Sequence, residues 1–198
     1  MMNRKIVLPL VGALFVAGCL SSPTKRYFQI VPMDMDAQPH PSIGKALYIE
    51  PVRVDPLYDD FRVIYRVSPY ELKYYSNAFW AKKPDNLLRE AMSDYLLRKA
   101  GFDRVTTDVL QGDPEIVLRS NVRLIEEIDN PGTWYGRLAM DIEFLEFKSG
   151  RRLIRHSFDR KIPLPARKAQ FLPAVLSGIL VEELDAAMRK LAEALAEK

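Results

Sequence analysis

The chain has 198 residues, 48% hydrophobic, 28% charged and 10% aromatic, which excludes a disordered or low-complexity chain and suffices for one domain with a real core. Its single cysteine excludes an intramolecular disulfide and a cysteine-built metal cluster. Setting Arg4 and Lys5 aside reduces the formal charge from +3 to 27 basic against 26 acidic side chains, too near neutrality for a nucleic-acid binder held by phosphate neutralisation.

The chain opens with Arg4-Lys5 and turns apolar from Ile6 to Gly18. Thirteen residues are too few to span a bilayer, which needs roughly 20. A basic start before a short apolar run is the pattern of a secretory signal peptide. The run ends Val16-Ala17-Gly18-Cys19, which resembles a bacterial lipobox. That resemblance implies a signal peptide over residues 1–18, cleavage before Cys19, a diacylglycerol on its sulfur and an acyl chain on the new amino terminus. Two or three acyl chains anchor stably, since each buried methylene contributes about 0.8 kcal/mol. Leu20, where an aspartate would imply retention in the inner membrane, implies the outer membrane. The tether from Leu20 to Arg26 reaches about 25 Å when extended, so the domain of residues 27–198 is expected close to the membrane surface.

Within that domain Tyr27–Val31 reads as a short strand and Pro32–Ser42 as a proline-containing loop. Ala46–Val54 reads as a strand interrupted by Pro51. Arg62–Val67 alternates, with Val63, Tyr65 and Val67 on one side. Tyr70–Tyr75 alternates again after Ser68-Pro69. Pro84 opens a helix whose stripe is Leu87, Leu88, Ala91, Met92, Tyr95 and Leu96, with Arg98 and Lys99 at its negative end and Gly101 as cap. Phe102–Val105 is a candidate strand.

Glu115–Ile162 is the most regular stretch. Pairing Leu124 with Leu138 also sets Val122 beside Met140, Leu118 beside Phe144, and Arg119 opposite Glu143. The Asp129–Gly132 cluster forms the turn. A Lys148-Ser149-Gly150 loop then pairs Phe144 with Ile154, Met140 with Phe158 and Glu143 with Arg155. Gln170–Glu197 has apolar residues at helical spacing over about 42 Å. The expected fold is α+β, an α/β sandwich: a mostly antiparallel sheet with a three-stranded meander, and helices at about 84–100 and 170–197 on one face.

Chemistry is scarce. His40 lies between two prolines. His156 falls on an apolar strand face, where a structural role is expected. No metal-ligand spacing, phosphate loop or nucleophile elbow occurs. The acid pairs Asp59-Asp60 and Glu126-Glu127 read as solvated surface. Neither a catalytic set nor a cofactor is expected, and a hydrolase would need a site that the sequence does not announce. The unusual segment runs from Tyr70 to Trp80, with Tyr70, Tyr74, Tyr75, Phe79 and Trp80 in eleven positions. Tyr74 and Trp80 can seal a helix–sheet junction. Tyr75 and Phe79 do not obviously share their face, and exposed aromatics mark partner or lipid contact. All five are candidate partner- or lipid-binding residues. Trp134-Tyr135 is a second aromatic pair, with Trp134 expected in the core.

The ordered set of lipobox, Arg26-Tyr27-Phe28, Arg62-Val63-Ile64-Tyr65-Arg66, Tyr74-Tyr75, Trp80-Ala81, Pro84, Leu87-Leu88 and Ala100-Gly101-Phe102 resembles the ABC-type transport auxiliary lipoproteins. The resemblance implies a non-catalytic lipoprotein on the periplasmic face of the outer membrane. It would partner an MCE-domain protein of an intermembrane lipid transporter and dock its conduit, with phospholipid as a further candidate partner. The alternative is a lipoprotein that assists assembly or plugging of an outer-membrane β-barrel.

Overall fold

A computed structural model describes residues 24–33, 42–99, 101–111 and 113–197. The signal peptide, Cys19, the tether as far as residue 23, and His40 lie outside them. The elements are β1 (Arg26–Phe28), β2 (Ala46–Ile49), β3 (Arg53–Val54), β4 (Arg62–Ser68), β5 (Glu71–Trp80), α1 (Pro84–Lys99), β6 (Arg104–Thr106), β7 (Ile116–Asn130), β8 (Thr133–Glu146), β9 (Arg152–Pro163) and α2 (Leu172–Ala196), the last preceded by a turn of 3₁₀ helix at Ala169–Phe171.

The spine of the single nine-stranded sheet is β7. One of its edges carries β8 along nearly its full length, and β8 carries β9. The other edge is shared in succession by β2, β3 and β4, through Leu47↔Ile116, Arg53↔Asn121 and Tyr65↔Glu127. Pro51, lacking a donor, separates β2 from β3. The sheet continues from β4 to β5 and β1, and from β2 to β6.

The α+β class agrees with the expectation, but the sheet is mixed. The long β7–β8–β9 meander and the β4–β5 hairpin are antiparallel, while β1–β5, β2–β6 and the three short strands on β7 pair in parallel. Parallel partners need a crossover. Here α1 carries the chain from the β4–β5 hairpin back to β6 and β7.

The meander register agrees with the sequence reading at Val122↔Met140, Leu118↔Phe144, Arg119↔Glu143, Phe144↔Ile154, Met140↔Phe158 and Glu143↔Arg155. It differs beyond Val122. A bulge there puts Leu124 opposite Ala139 and gives Leu138 to Ile125. One extra residue reverses the faces that follow, so Ile125 and Glu127 turn inward. The Pro131-Gly132 turn between β7 and β8 uses Gly132 at φ +83°, which favours glycine.

Both helices cover the apolar face of the sheet. The buried side of α1 is the expected stripe, Leu87, Leu88, Ala91, Met92, Tyr95 and Leu96. In α2 it includes Leu176, Ile179, Leu180, Leu184, Ala187, Met188 and Leu191. These meet Leu118, Val122, Leu138, Met140 and Phe144 in one core. The Tyr95 hydroxyl donates to Asp185 and ties the helices together. No described helix is long and apolar enough to cross a membrane.

His156 is buried between β9 and α2. Its Nε2 lies 2.6 Å from Glu183 and its Nδ1 lies 2.9 Å from the Lys190 ammonium. A lysine ammonium only donates, so Nδ1 accepts and Nε2–H donates. Both ring nitrogens are thus satisfied, and the residue pins the helix to the sheet.

Gly136 fixes how closely α2 approaches β8. A Cβ at this position would lie 2.8 Å from Val175 Cγ1 and 3.0 Å from Leu172 Cδ1. Gly136→Val is expected to destabilise by about 1–3 kcal/mol, the usual cost of overpacking. The check is the urea midpoint, with Gly178→Ala, a site where a Cβ meets nothing within 4 Å, as the reference.

Candidate functional site

The β4–β5 hairpin displays the aromatic segment. The segment is itself a strand, not a junction between strand and helix. Pairing jumps from Arg62↔Phe79 to Ile64↔Tyr74, so residues 75–78 of β5 bulge away from β4. The alternation visible in sequence ends there for that reason. Beyond the bulge β5 gains a second neighbour, with β1 pairing Arg26, Tyr27 and Phe28 to Ala78, Phe79 and Trp80.

The five aromatic candidates are thereby sorted. Tyr70 sits in the hairpin turn and is 98% exposed. Tyr74 is 39% exposed, and the Arg62 guanidinium lies over its ring at 3.9 Å from the centroid. Asp60 holds Arg62 through Nε at 3.1 Å and Nη2 at 2.6 Å. Phe79 is half-buried, 5.7 Å from the Tyr27 ring and 5.6 Å from the Lys25 ammonium. Tyr75 turns inward, 4.6 Å from the Tyr65 ring, and its hydroxyl donates to Glu127 at 2.9 Å. Trp80 is only 2% exposed and belongs to the core. It has no surface to offer a partner, which corrects its place among the binding candidates. Tyr74 does not seal the junction with it. Tyr70 and Tyr74, with Tyr27 beside Phe79, form the accessible aromatic surface. Tyr27, 65% exposed, is the member that sequence reading left out, because only the β1–β5 pairing brings it there.

The charged groups behind the hairpin depart further from expectation. Glu126 and Glu127 are both fully buried, not solvated. They project to opposite faces of β7. Glu126 accepts from Arg66 Nε and Nη2, each at 2.9 Å, and from the Tyr58 hydroxyl at 2.6 Å. Arg137 lies 3.5 Å away. Burial, then the bond to Glu126, pushes the Tyr58 phenol up. Glu126 in turn holds Arg66 as a cation. The cluster joins the 55–61 loop, β4, β7 and β8, and fixes β4 close to the hairpin turn, where Arg66 pairs with Leu72.

Glu127 is less well served. Its Oε1 accepts from Tyr75, while Oε2 has no hydrogen-bond partner among the described residues. Burial raises its carboxyl above the ordinary value of 4.5; the Tyr75 bond opposes the rise and Asp129 adds to it. A carboxyl with a raised folded-state value favours the fold below the unfolded value. That contribution is lost as pH rises through the folded value. Glu127→Gln keeps an acceptor for Tyr75 and removes the charge. The stability of the variant relative to the parent is therefore expected to rise from pH 4.5 upward. Urea unfolding across this range reads it, and a constant difference would refute a buried carboxylate.

Among the described residues no group of three metal-ligating side chains occurs. The arrangement offers an aromatic, cation-flanked hairpin on a rigid base, suited to contact with another molecule.

Compared with known proteins, the chain matches the family of ABC-type transport auxiliary lipoprotein components over residues 28–196. It belongs to that family. Among curated proteins none matches. In fold it is similar to a Xanthomonas campestris protein of the DUF330 family, with 15% identity, TM-score 0.73, and 87% of this chain and 98% of that one covered. A second solved structure, of an uncharacterised protein, shares 19% identity at TM-score 0.68 over 85% of this chain and 99% of that one. A hypothetical protein from Chlamydia trachomatis matches at TM-score 0.52 with 7% identity, over 75% and 98% respectively. At these identities the likeness is one of fold.

Proposed function

We propose that this protein is a non-catalytic docking lipoprotein of an MCE-type intermembrane lipid transporter, anchored through Cys19 to the periplasmic face of the outer membrane. The observation that carries the reading is the family match, which spans nearly the whole described domain and is to transport auxiliary lipoproteins. The lipobox-like Val16–Cys19 supports the anchor, and Leu20 supports the outer over the inner membrane. The β4–β5 hairpin supplies the contact surface. Tyr70 stands out from the turn and Tyr74 from β5 of a hairpin braced by the Glu126 cluster, and preorganised aromatics are frequent anchors at interfaces. Among the described strands, β1 reaches only the last three residues of β5. The stretch before them has β4 on one side, so its other edge suits addition of a partner strand. The Glu71–Lys73 ion pair of 3.0 Å puts charge on that edge, a usual guard against indiscriminate pairing.

The test is purification of the lipidated protein from cross-linked native membranes, with mass spectrometry of what accompanies it. An MCE-domain protein is expected. Tyr70→Glu combined with Tyr74→Glu is expected to cut its recovery at least tenfold without unfolding the domain, since both side chains are exposed. Recovery of a β-barrel instead, or of no partner, overturns the docking reading.

A further inference from the structure

A pocket of about 700 Å³ opens at the end of the sheet remote from the hairpin. Four parts of the chain meet there: the approach to β2, the start of β7, the β8–β9 hairpin and the last turns of α2. The apolar part of its lining is aliphatic and includes Ile43, Ile116, Leu153 and Leu195. Ile116 is fully buried and makes the floor, while Ile43, Leu153 and Leu195 are half-buried and keep apolar surface in water. The volume lies within the roughly 300–1,000 Å³ of small-ligand sites. Among the described residues no aromatic ring lines the pocket to stack a planar ligand.

The charged groups at the opening are two lysines and two glutamates, Lys45, Lys148, Glu115 and Glu146. Lys45 pairs with Glu115 at 2.9 Å. Glu146 accepts from the Ser149 hydroxyl at 2.5 Å and lies 3.5 Å from Arg151. Lys148 is exposed and helps to hold the Glu115 carboxyl down, behind the larger effects of Lys45 and the Ala46 N–H. Among the described residues none forms an ion pair with Lys148. Arg151, outside the lining, engages Glu146, so the Lys148 ammonium stands at the mouth open to a further anion.

We propose that this pocket binds an anionic single-chain amphiphile, with its acyl chain along Ile43, Leu153 and Leu195 and its head group against Lys148. Burying the three half-exposed aliphatics under a chain contributes about 25 cal/mol per Å² removed from water. The Lys148 ammonium offers a carboxylate or phosphate a charge-assisted hydrogen bond that a neutral head forgoes. The site lies at the far end of the sheet from the aromatic hairpin and stands without the docking reading.

The test uses membranes carrying the full chain, labelled in parallel with a photoactivatable palmitate and a photoactivatable lysophosphatidylglycerol. Adducts are expected on the peptides bearing Leu153 and Leu195, above the level on the hairpin peptide bearing Tyr70. The more efficient probe distinguishes a fatty acid from a lysophospholipid. Leu195→Trp, which puts a bulkier ring into the wall of the pocket, is expected to lower these adducts at least fivefold. Lys148→Glu alters only an exposed side chain, and is expected to lower them about fivefold by reversing a surface charge. Labelling that is uniform or absent at the pocket overturns the proposal. Pocket labelling indifferent to Lys148→Glu overturns the anionic head group.

Discussion

Arg66→Ala is expected to destabilise the domain by about 3–5 kcal/mol, the range for removing one partner of a buried ion pair. Arg66 makes both of the short guanidinium bonds to the fully buried Glu126. Without them the carboxylate keeps only Tyr58 and the more distant Arg137. The loss is the cost of a stranded charge, not the net worth of the pair. A triple replacement separates the two: Arg66→Met, Glu126→Leu and Tyr58→Phe together remove every strong member. This variant is expected within about 1–2 kcal/mol of the parent, because apolar substitutes of similar volume often match a buried pair. Urea unfolding of the single and triple variants gives both numbers. A single-variant loss below about 1 kcal/mol would mean that water reaches Glu126.

The same cluster marks where sequence reading stops. The lower half of the meander was legible because two independent signals agreed on one register. Apolar residues faced apolar residues at Val122↔Met140 and Leu118↔Phe144, while Arg119 faced Glu143. The bulge beyond Val122 had no such signal, since Arg123 reads as an ordinary outward residue in the alternation. Glu126 and Glu127 then looked like a solvated pair. Their partners lie 52 to 68 residues earlier, at Tyr58, Arg66 and Tyr75, and only the parallel seating of β4 on β7 brings them together. Parallel contacts between short strands leave almost no local pattern.

The aromatic segment was half legible. Its density was visible, but the inward turn of Tyr75 and the burial of Trp80 depend on the irregular β4–β5 register and on β1. The apolar pocket was not legible at all, because its walls come from four separated stretches that are each ordinary alone. His156 was legible as structural because it interrupts an apolar face, although Glu183 and Lys190 could not be named as its partners.

Cys19→Ala is expected to move the protein wholly out of the membrane fraction while leaving its stability unchanged. Among the described residues the core runs from Ile30 to Leu191 and joins both helices to the sheet. The first strand begins at Arg26, seven residues after Cys19, so the substitution alters none of the described core residues. Anchoring by two or three acyl chains is effectively all-or-none, because at about 0.8 kcal/mol per methylene the loss of every chain removes far more binding than surface charge can replace. Fractionation of the envelope reads the first effect, and the urea midpoint of the released protein reads the second. A variant that stays in the membrane would show an attachment independent of Cys19. A variant that is released but unfolded would show that the domain needs the bilayer to fold. Release with an unchanged midpoint makes anchor and domain separable. Any loss of partner recovery with such a variant is then assigned to lost anchoring, not to lost structure.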